Sequence, residues 1–264
     1  MSDPLFSVEN QIVLVSGGSR GIGRAIAEGF ASRNAKVIIT GRENETLAAT
    51  AKEISTGRFR VEPIVCDVAD TNSIDQLVQS ALTKYDRIDT LINVAGVNRR
   101  KPTSTLTTDD YDFVMDINLK GAFYLSQQVG KIMVEHRKGC QINVVSLNSD
   151  RPLKHVLPYA MSKAGMAQMT KALALEWGEH GVRVNALAPG FILTDLTQKL
   201  WADPEMHAWG KANTPQRRLG TPEDMVGTCV FLAAPASAFM TGQVLYVDGG
   251  FTAGWSWPIP ANNQ

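Results

Sequence analysis

Short apolar runs rich in β-branched residues recur along the chain and predict the strands of a sheet. They occupy residues 11–15, 36–40, 61–65, 90–93, 141–146, 183–188 and 244–247. The stretches between them are long enough for crossover helices, and in the first of these Ile22, Ala25, Ile26 and Phe30 recur at helical spacing. Continuous apolar strands that alternate with helices are typical of a mostly parallel sheet covered on both faces. The pattern therefore predicts an α/β fold with a doubly wound, seven-stranded sheet and six helical stretches.

The chain shows no linker, repeat, low-complexity block or shift in composition that would mark a domain boundary. We therefore predict a single domain over residues 1–264. The longest segment without an obvious strand, residues 190–220, contains two prolines and two tryptophans. Long insertions of this kind often cover a site, so we predict a substrate lid here, packed by its aromatic residues. The tail at residues 255–260 is too apolar for a solvated end, and we expect it to contact a neighbouring subunit.

The charge balance excludes several partners. The 26 basic and 26 acidic side chains give a formal net charge of zero, so the chain lacks the positive field that draws in nucleic acid or an anionic membrane. Three cysteines without a CxxC pair predict neither a disulfide framework nor a zinc site. The first ten residues do not have the basic segment followed by an apolar one that is typical of a signal peptide, and no apolar run approaches about 18 residues, the length of a membrane-spanning helix. We therefore expect a soluble, cytoplasmic protein.

Glycines follow the first predicted strand at the spacing of a phosphate-binding turn. Gly17, Gly21 and Gly23 form a GxxxGxG pattern between this strand and the first predicted helix. Such glycines permit positive φ, close approach to a pyrophosphate and tight helix packing, while the first amides of the helix bind the anion. The strand before and the helix after favour a dinucleotide site over a plain tight turn. The expected fold is thus a Rossmann fold.

The end of the second predicted strand indicates which dinucleotide binds. NAD-binding units usually place an acidic residue there for the ribose 2′-hydroxyl, whereas an arginine accommodates a 2′-phosphate. This chain has Arg42 at that point, and Arg20 can hold the same phosphate from the other side. NADP(H) is therefore favoured. NAD(H) is the alternative, in which Arg42 is solvated and Glu43 contacts the ribose. Asp67, after the third strand, is expected to accept a hydrogen bond from the adenine amino group.

Four polar side chains form the candidate catalytic set. Tyr159 and Lys163 are spaced by four residues, which places them on one face of a predicted helix. Ser146 ends the fifth predicted strand, and Asn118 lies in an apolar helical segment. Each residue type is common by itself, but this order behind a glycine turn is rare. We expect the four side chains to converge at one site.

In this order the residues resemble the short-chain dehydrogenases/reductases over essentially the whole chain. Val94 stands where that family usually has a second asparagine. The resemblance implies a homotetrameric, metal-independent oxidoreductase that moves a hydride between a nicotinamide cofactor and a secondary alcohol or ketone. The positions that carry it are Gly17, Gly21, Gly23, Asn93, Ala95, Gly96, Asn118, Ser146, Tyr159, Lys163, Pro189, Gly190, Thr194, Val247, Asp248, Gly249 and Gly250.

The resemblance implies that Tyr159 exchanges a proton with the substrate, that Ser146 binds the substrate oxygen and that Asn118 anchors water in a proton relay. Lys163 would hold the cofactor ribose. An ammonium about 4 Å from the phenol, at an effective dielectric of about 20, stabilises the phenolate by about 4 kcal/mol. We therefore expect Lys163 to bring the tyrosine pKa towards neutrality. The expected cofactor contacts are Gly17, Ser19, Arg20, Gly21, Ile22, Gly23, Arg42, Asp67, Val68, Asn93, Ala95, Gly96, Tyr159, Lys163, Pro189, Gly190, Ile192 and Thr194.

Three consecutive cations, Arg99, Arg100 and Lys101, follow the fourth strand and indicate the substrate class. An arginine at the mouth of the crevice suits a carboxylate or phosphate, and the alternative is a solvated basic loop. We expect His155 to be a loop residue. The expected substrate contacts are Arg99, Arg100, Ser146, Asn148, Arg151 and Tyr159.

The motif after the fourth strand and the segment at 209–220 resemble the family's sugar-acid members, of the gluconate 5-dehydrogenase type. This implies a sugar acid or polyol as the substrate. An alternative within the same family keeps the hydride transfer between NADP(H) and a ketone, but the substrate is a 3-oxoacyl thioester. A cofactor-binding regulator without turnover is the third reading, and it predicts an incomplete catalytic set, whereas this set is complete.

Overall fold

A seven-stranded sheet runs through the centre of the computed structural model, which describes residues 3–56 and 58–254. Its order is β3-β2-β1-β4-β5-β6-β7, and every strand pair is parallel, where a mostly parallel sheet was expected. This confirms the predicted doubly wound α/β fold. The strands are β1 Ile12–Ser16, β2 Lys36–Gly41, β3 Glu62–Val65, β4 Thr90–Asn93, β5 Gly139–Val144, β6 Val182–Pro189 and β7 Val244–Val247.

Helices fill every connection between consecutive strands. The fourth connection holds two helices separated by a π turn at Asp116–Gly121, and the last one holds three helices. The described residues therefore contain more helices than the six predicted stretches. They are α1 Gly21–Ala31, α2 Asn44–Glu53, α3 Thr71–Tyr85, α4 Thr108–Met115, α5 Ala122–Glu135, α6 Leu157–Trp177, α7 Gln198–Trp201, α8 Pro204–Asn213 and α9 Val226–Ala233.

The two faces of the sheet bury separate cores. Val13 and Val15 of β1 pack with α1, α2 and α9, while Ile12 and Leu14 pack with α3, α5 and α6. Because successive side chains of a strand point to opposite faces, a central strand with helices on both sides must be apolar at every position. All five residues of β1 are buried accordingly.

The order of the strands decides where a ligand fits. The connection from β1 leads to β2 on one side, whereas β4 lies on the other side of β1, so the winding reverses between β1 and β4. Ligands of such sheets bind at the carboxyl ends of the strands at this point. The glycine turn after β1 and the cationic loop after β4 both lie there.

The segment predicted as a lid contains α7 and α8. A bridge between Ile192 and Gly220 joins its two ends. Its aromatic residues pack as expected, since the ring of Phe191 lies 5.3 Å from Trp201 and 5.5 Å from Trp209, centroid to centroid. Whether the segment moves as a lid stays a prediction, and the tail at 255–260 lies outside the described residues.

Among residues 3–56 and 58–254, no helix is both long enough and apolar enough to cross a bilayer. The same ranges contain no group of three or more metal-ligating side chains.

Candidate active site

The turn after β1 has the backbone that the glycine spacing predicts. Gly17 and Gly21 have φ of +72° and +51°, a region that side chains with a Cβ rarely adopt. A Cβ on Gly23 would collide with the carbonyl oxygen of Gly17, so only glycine lets α1 start this close to the turn. Arg20 caps α1 without a side-chain hydrogen bond, which leaves the first amides of the helix available for an anion.

A groove of about 440 Å³ extends from this turn along the ends of β1, β2, β3 and β4. It is lined by most of the predicted cofactor contacts. The predicted residues that line it are Gly17, Ser19, Arg20, Gly21, Ile22, Gly23, Arg42, Asp67, Val68, Ala95, Gly96 and Thr194.

Two arginines form the cationic end of the groove. Arg20 and Arg42 both line it and are exposed. Glu43, the residue that would contact a ribose in the alternative reading, is the N-cap of α2 and is not among the residues that line the groove. The groove therefore presents cations where a 2′-phosphate is expected.

A smaller cavity of about 120 Å³ continues the groove towards β5 and β6. The two share Ile22, Val94, Gly96, Thr194 and Leu196, so they form one continuous crevice. Leu196 and Thr197 were not predicted, and their only sequence signal is that they follow Thr194. The predicted residues that line the smaller cavity are Ile22, Gly96, Ser146, Tyr159, Lys163, Pro189, Gly190, Ile192 and Thr194.

Helix α6 carries the phenol and the amine. Pro158 lies in its first turn, where a missing backbone N–H costs nothing. Tyr159 follows it, and Lys163 lies one turn later on the same side. The lysine Nζ donates to the carbonyl oxygen of Val144 at 2.7 Å, at the point where β5 ends. This bond joins α6 to β5 directly beneath the cavity.

Lys163 is a buried amine with a perturbed pKa. Lys163 is 3% exposed, and this burial lowers the pKa of its amine from 10.5 to about 8. Desolvation favours the neutral form of an amine, which explains the direction. Near neutral pH the charged form is therefore kept at an energetic cost to the fold.

This cost predicts a pH dependence of stability. Because the folded chain releases the Lys163 proton at a lower pH than the unfolded chain, the unfolded state binds more protons between about pH 8 and 10.5, and stability rises with pH there. We expect the parent to gain about 3 kcal/mol of unfolding free energy over this window relative to Lys163→Met. Denaturant unfolding of both proteins at the two pH values measures this difference. A difference that does not change with pH would contradict it.

The environment of Tyr159 corrects one expectation. Burial raises the pKa of Tyr159 above its ordinary value, while a hydrogen bond from Ser146 and the charge of Arg100 act in the opposite direction. Lys163 is not among the groups that lower this pKa; its Nζ lies 5.9 Å from the centre of the tyrosine ring. The expected effect of the lysine on the phenol is therefore wrong for the chain by itself. The reason is that burial lowers the pKa of Lys163 to about 8 and raises that of Tyr159, so the amine has lost its charge before the phenol gives up its proton.

Ser146 is held by Asn148. The Ser146 Oγ accepts from the backbone N–H of Asn148 at 3.1 Å and from its Nδ2 at 3.3 Å. A hydroxyl has two acceptor positions and one proton, so the proton of Ser146 is left to donate into the cavity. Asn148, predicted as a substrate contact, does not line this cavity and instead orients the serine.

Asn118 lies in the π turn and is fully buried. Its Oδ1 accepts from the Val97 N–H at 2.8 Å, and its Nδ2 donates to the Val97 carbonyl at 2.9 Å and to the Ser162 Oγ at 3.1 Å. The side chain thus fixes the loop after β4 and does not line either cavity. The water relay stays a prediction.

Asn93 is a correction to the predicted cofactor contacts. Its side chain is buried between the sheet and the helices, where Nδ2 donates to Ser126 Oγ and to Asn143 Oδ1, each at 2.9 Å. Because these bonds hold the side chain within the core, it lines neither the groove nor the smaller cavity.

Two of the predicted substrate arginines are also corrected. Arg99 is paired with Asp110 of α4 at 2.8 Å, and it lines neither the groove nor the smaller cavity. Arg151 is exposed, lies 3.8 Å from Asp150 and does not line the cavity. Arg100 remains. It is exposed, and its charge acts on the phenol of Tyr159.

Comparison with known proteins places the chain among enzymes. Residues 17–252 match the family model described as enoyl-(acyl carrier protein) reductase. The chain is 37% identical over 253 residues to the gluconate 5-dehydrogenase of Gluconobacter oxydans, covering 96% of this chain and 99% of that protein. It is 38% identical over 242 residues to a 3-oxoacyl-(acyl-carrier-protein) reductase of Synechocystis, covering 91% and 96%.

Solved structures give the same result. A gluconate 5-dehydrogenase from Burkholderia cenocepacia, in complex with NADP and tartrate, aligns with a TM-score of 0.92 and 32% identity over 96% of this chain and 99% of that chain. The two relatives reported above, at 37% and 38% identity, are thus named for different substrates, gluconate and the 3-oxoacyl carrier protein.

Proposed function

Since the chain belongs to the short-chain dehydrogenase/reductase family of oxidoreductases, we propose that it interconverts a secondary alcohol and a ketone with NADP(H). We further propose that the substrate is a sugar acid or a related polyol. One observation carries the proposal. The phenol of Tyr159, the amine of Lys163 and the hydroxyl of Ser146 line a cavity that is continuous with the glycine-lined groove.

The donor set of the groove fits an NADP molecule. Gly17 and Gly21 supply the turn, the first amides of α1 face a pyrophosphate, and Arg20 and Arg42 supply two cations for a 2′-phosphate. Asp67 lines the same groove for the adenine. The relative from Burkholderia cenocepacia is described as a complex with NADP, which supports this choice over NAD.

When bound, the nicotinamide supplies the hydride acceptor or donor. The residues of the chain handle the proton. Tyr159 donates its phenolic proton to the oxygen of a ketone, or accepts it from an alcohol in the reverse direction. Ser146 donates its one hydroxyl proton in a hydrogen bond to that oxygen, and so stabilises the charge that develops on it. Lys163 lines the same cavity. An oxidised cofactor bound there would add a second positive charge, which would favour the phenolate form of Tyr159.

Arg100 supports the choice of an acidic substrate. Arg100 is exposed, and its positive charge acts to lower the pKa of the reacting phenol of Tyr159. An arginine at that place binds a carboxylate through paired donors. The gluconate relatives support this reading, and the tartrate named in one of their complexes is itself a dicarboxylate.

Replacing Arg100 with alanine tests the substrate class. We expect the KM for gluconate or its 5-keto form to rise about tenfold, because one charge-assisted hydrogen bond is lost. The KM for a neutral polyol is expected to stay within about twofold. Lys154→Ala removes one positive charge from an exposed loop position and serves as the matched control. An equal effect of both substitutions, or an unchanged KM, would exclude the carboxylate contact.

A 3-oxoacyl thioester is the competing substrate, because relatives of that name match as well as the gluconate enzymes. Turnover of a short 3-oxoacyl thioester at a higher kcat/KM than any sugar acid would replace the substrate in the proposal and keep the chemistry. NADPH binding without turnover on the whole panel would favour a regulator.

We also propose a cytoplasmic homotetramer that uses α5 and α6 as contact surfaces. Phe123 on α5 and Met161 on α6 are exposed apolar side chains, which supports an interface on these helices. Sedimentation of the purified protein determines the number of subunits.

A further inference from the structure

Asp110 lies outside the proposed catalytic set and holds two cations. Its Oδ1 lies 2.8 Å from Arg99 NH1 and its Oδ2 lies 2.6 Å from Lys101 Nζ. The carboxylate side chain is 3% exposed, although it lies near the surface end of α4. A buried carboxylate is stable in a fold only when it is paired and hydrogen-bonded, and this one is both.

The position of the carboxylate is fixed by α4. Thr107 and Asp110 form a capping box, in which Asp110 N–H donates to Thr107 Oγ1 at 3.1 Å and Thr107 N–H donates to Asp110 Oδ2 at 3.2 Å. Lys101, the Thr107 amide and Arg99 hold the pKa of Asp110 well below its ordinary value. The carboxylate is therefore charged at neutral pH.

The segment between β4 and α4, residues 97–102, is attached at further points. The ring of Phe113 lies 4.1 Å from the guanidinium of Arg99. The backbone N–H of Lys101 donates to the carbonyl of His155 at 2.9 Å, just before α6 begins. Asn118 holds Val97 at the other end. The segment is thus fastened to α4, to the π turn and to the start of the catalytic helix.

Arg100 lies between the two residues that Asp110 binds. Within the described part of the chain its side chain makes no hydrogen bond and no ion pair, unlike those of Arg99 and Lys101. Because one carboxylate holds the side chains of positions 99 and 101 on the same side of the segment, the side chain of Arg100 between them is left out of that contact. Its charge acts to lower the pKa of Tyr159 at the start of α6.

We propose that Asp110 is a positioning residue for substrate recognition: by binding Arg99 and Lys101 it turns Arg100, the one cation of the three without a partner in the described residues, towards the anionic group of the substrate. This inference rests on the proposed sugar-acid function. In this proposal the three consecutive cations have two different roles. Arg99 and Lys101 hold the segment in place, and Arg100 binds the anionic group of the substrate.

The sign of the effect separates positioning from simple attraction. Asp110→Asn removes one negative charge and keeps the size and the hydrogen bond to the Thr107 amide. If the cations acted only through their field, the added net positive charge would attract an anionic substrate more strongly and lower its KM. If Asp110 orients Arg100, the same substitution frees the segment and raises that KM.

The experiment measures kcat of the full-length enzyme and its KM for gluconate, with NADP at saturation and the gluconate concentration varied. It is done for the parent, Asp110→Asn, Arg100→Ala and the double variant. We expect Asp110→Asn to raise the KM for gluconate about fivefold, with kcat for a neutral polyol nearly unchanged. In the Arg100→Ala background the same substitution is expected to have no further effect, because nothing is left to orient. Calorimetric titration of the NADPH-loaded enzyme with gluconate, a pair that cannot exchange a hydride, gives the same comparison without turnover.

Thr107→Ala is the matched control. It removes the other half of the capping box, destabilises the start of α4 by about 1 kcal/mol and leaves both ion pairs of Asp110 in place. We expect the parental KM from it. A KM that falls in Asp110→Asn, or that rises equally in Thr107→Ala, overturns the inference. Additive effects of Asp110→Asn and Arg100→Ala overturn it too. Should Arg100→Ala leave the KM for gluconate unchanged, the failure lies with the proposed function instead.

Discussion

Replacement of Tyr159 by phenylalanine is expected to reduce kcat about a thousandfold, since a positioned general acid or base contributes about 10² to 10⁴ in rate. The phenylalanine ring keeps the volume of the cavity lining, and only the hydroxyl that exchanges the proton is lost. The Kd for NADPH is therefore expected to stay within about twofold. Steady-state turnover and a fluorescence titration with NADPH measure the two quantities on the same preparation.

The control for this experiment is Tyr111→Phe, which removes the hydroxyl of an exposed tyrosine on α4. It is expected to turn over at the parental rate. If Tyr159→Phe keeps more than about a tenth of the parental kcat, the phenol is not the proton donor. A large loss of NADPH affinity in Tyr159→Phe would instead show that the substitution changed the cofactor site.

Replacement of Arg42 by alanine is expected to raise the Kd for NADPH about a hundredfold, because a charge-assisted hydrogen bond to a phosphate contributes about 1.5 to 3 kcal/mol. The Kd for NADH is expected to change by less than about twofold, since the two cofactors differ only in the 2′-phosphate. The experiment is a pair of fluorescence titrations on each protein. It reads cofactor binding alone and does not depend on the identity of the substrate.

Lys52→Ala provides the comparison for Arg42, because it removes one positive charge from exposed surface on α2, the helix that follows Arg42. A field effect would weaken NADPH binding in both variants to a similar extent. Equal losses in the two variants contradict the specific contact, as does an Arg42→Ala variant that loses NADH as strongly as NADPH.

The sheet was predictable because its strands are continuous apolar runs. Positions 90–93 and 244–247 have the predicted bounds, although β4 is buried throughout and β7 is a half-exposed strand at the edge of the sheet. The fifth strand ends at Val144 instead of position 146. Ser146 there caps a short 3₁₀ helix, and the hydrogen bond from the Asn148 amide that turns the chain is a local effect which apolar periodicity does not encode.

The crevice was predictable from motifs, because glycine spacing and the YxxxK pair each constrain a short stretch of backbone. The partners of polar side chains were not. Arg99 was assigned to the substrate although it binds Asp110, eleven positions away, and Asn93 was assigned to the cofactor although it binds Asn143, fifty positions away. Such pairs form only when the fold brings distant segments together, so a single sequence does not specify them.

The pKa of Tyr159 could not be obtained from spacing for a related reason. Four residues on a helix place Lys163 on the correct face, but they do not show that the amine is buried and bonded to Val144. Burial raises the pKa of Tyr159 and lowers that of Lys163, so the amine loses its charge before the phenol titrates. Helical spacing carries no information on either burial.

Transfer of deuterium from NADPH that carries deuterium at both C4 positions tests the central claim most directly. The enzyme is incubated with labelled NADPH and 5-ketogluconate, and the product is analysed by mass spectrometry. Deuterium on the new carbinol carbon of the sugar acid, at a rate that falls about a thousandfold in Tyr159→Phe, is the predicted result. Two results would contradict the assignment of an oxidoreductase site to Ser146, Tyr159 and Lys163. One is a product without deuterium. The other is an enzyme that binds NADPH but forms no product from this keto acid, from a neutral ketone or from a 3-oxoacyl thioester.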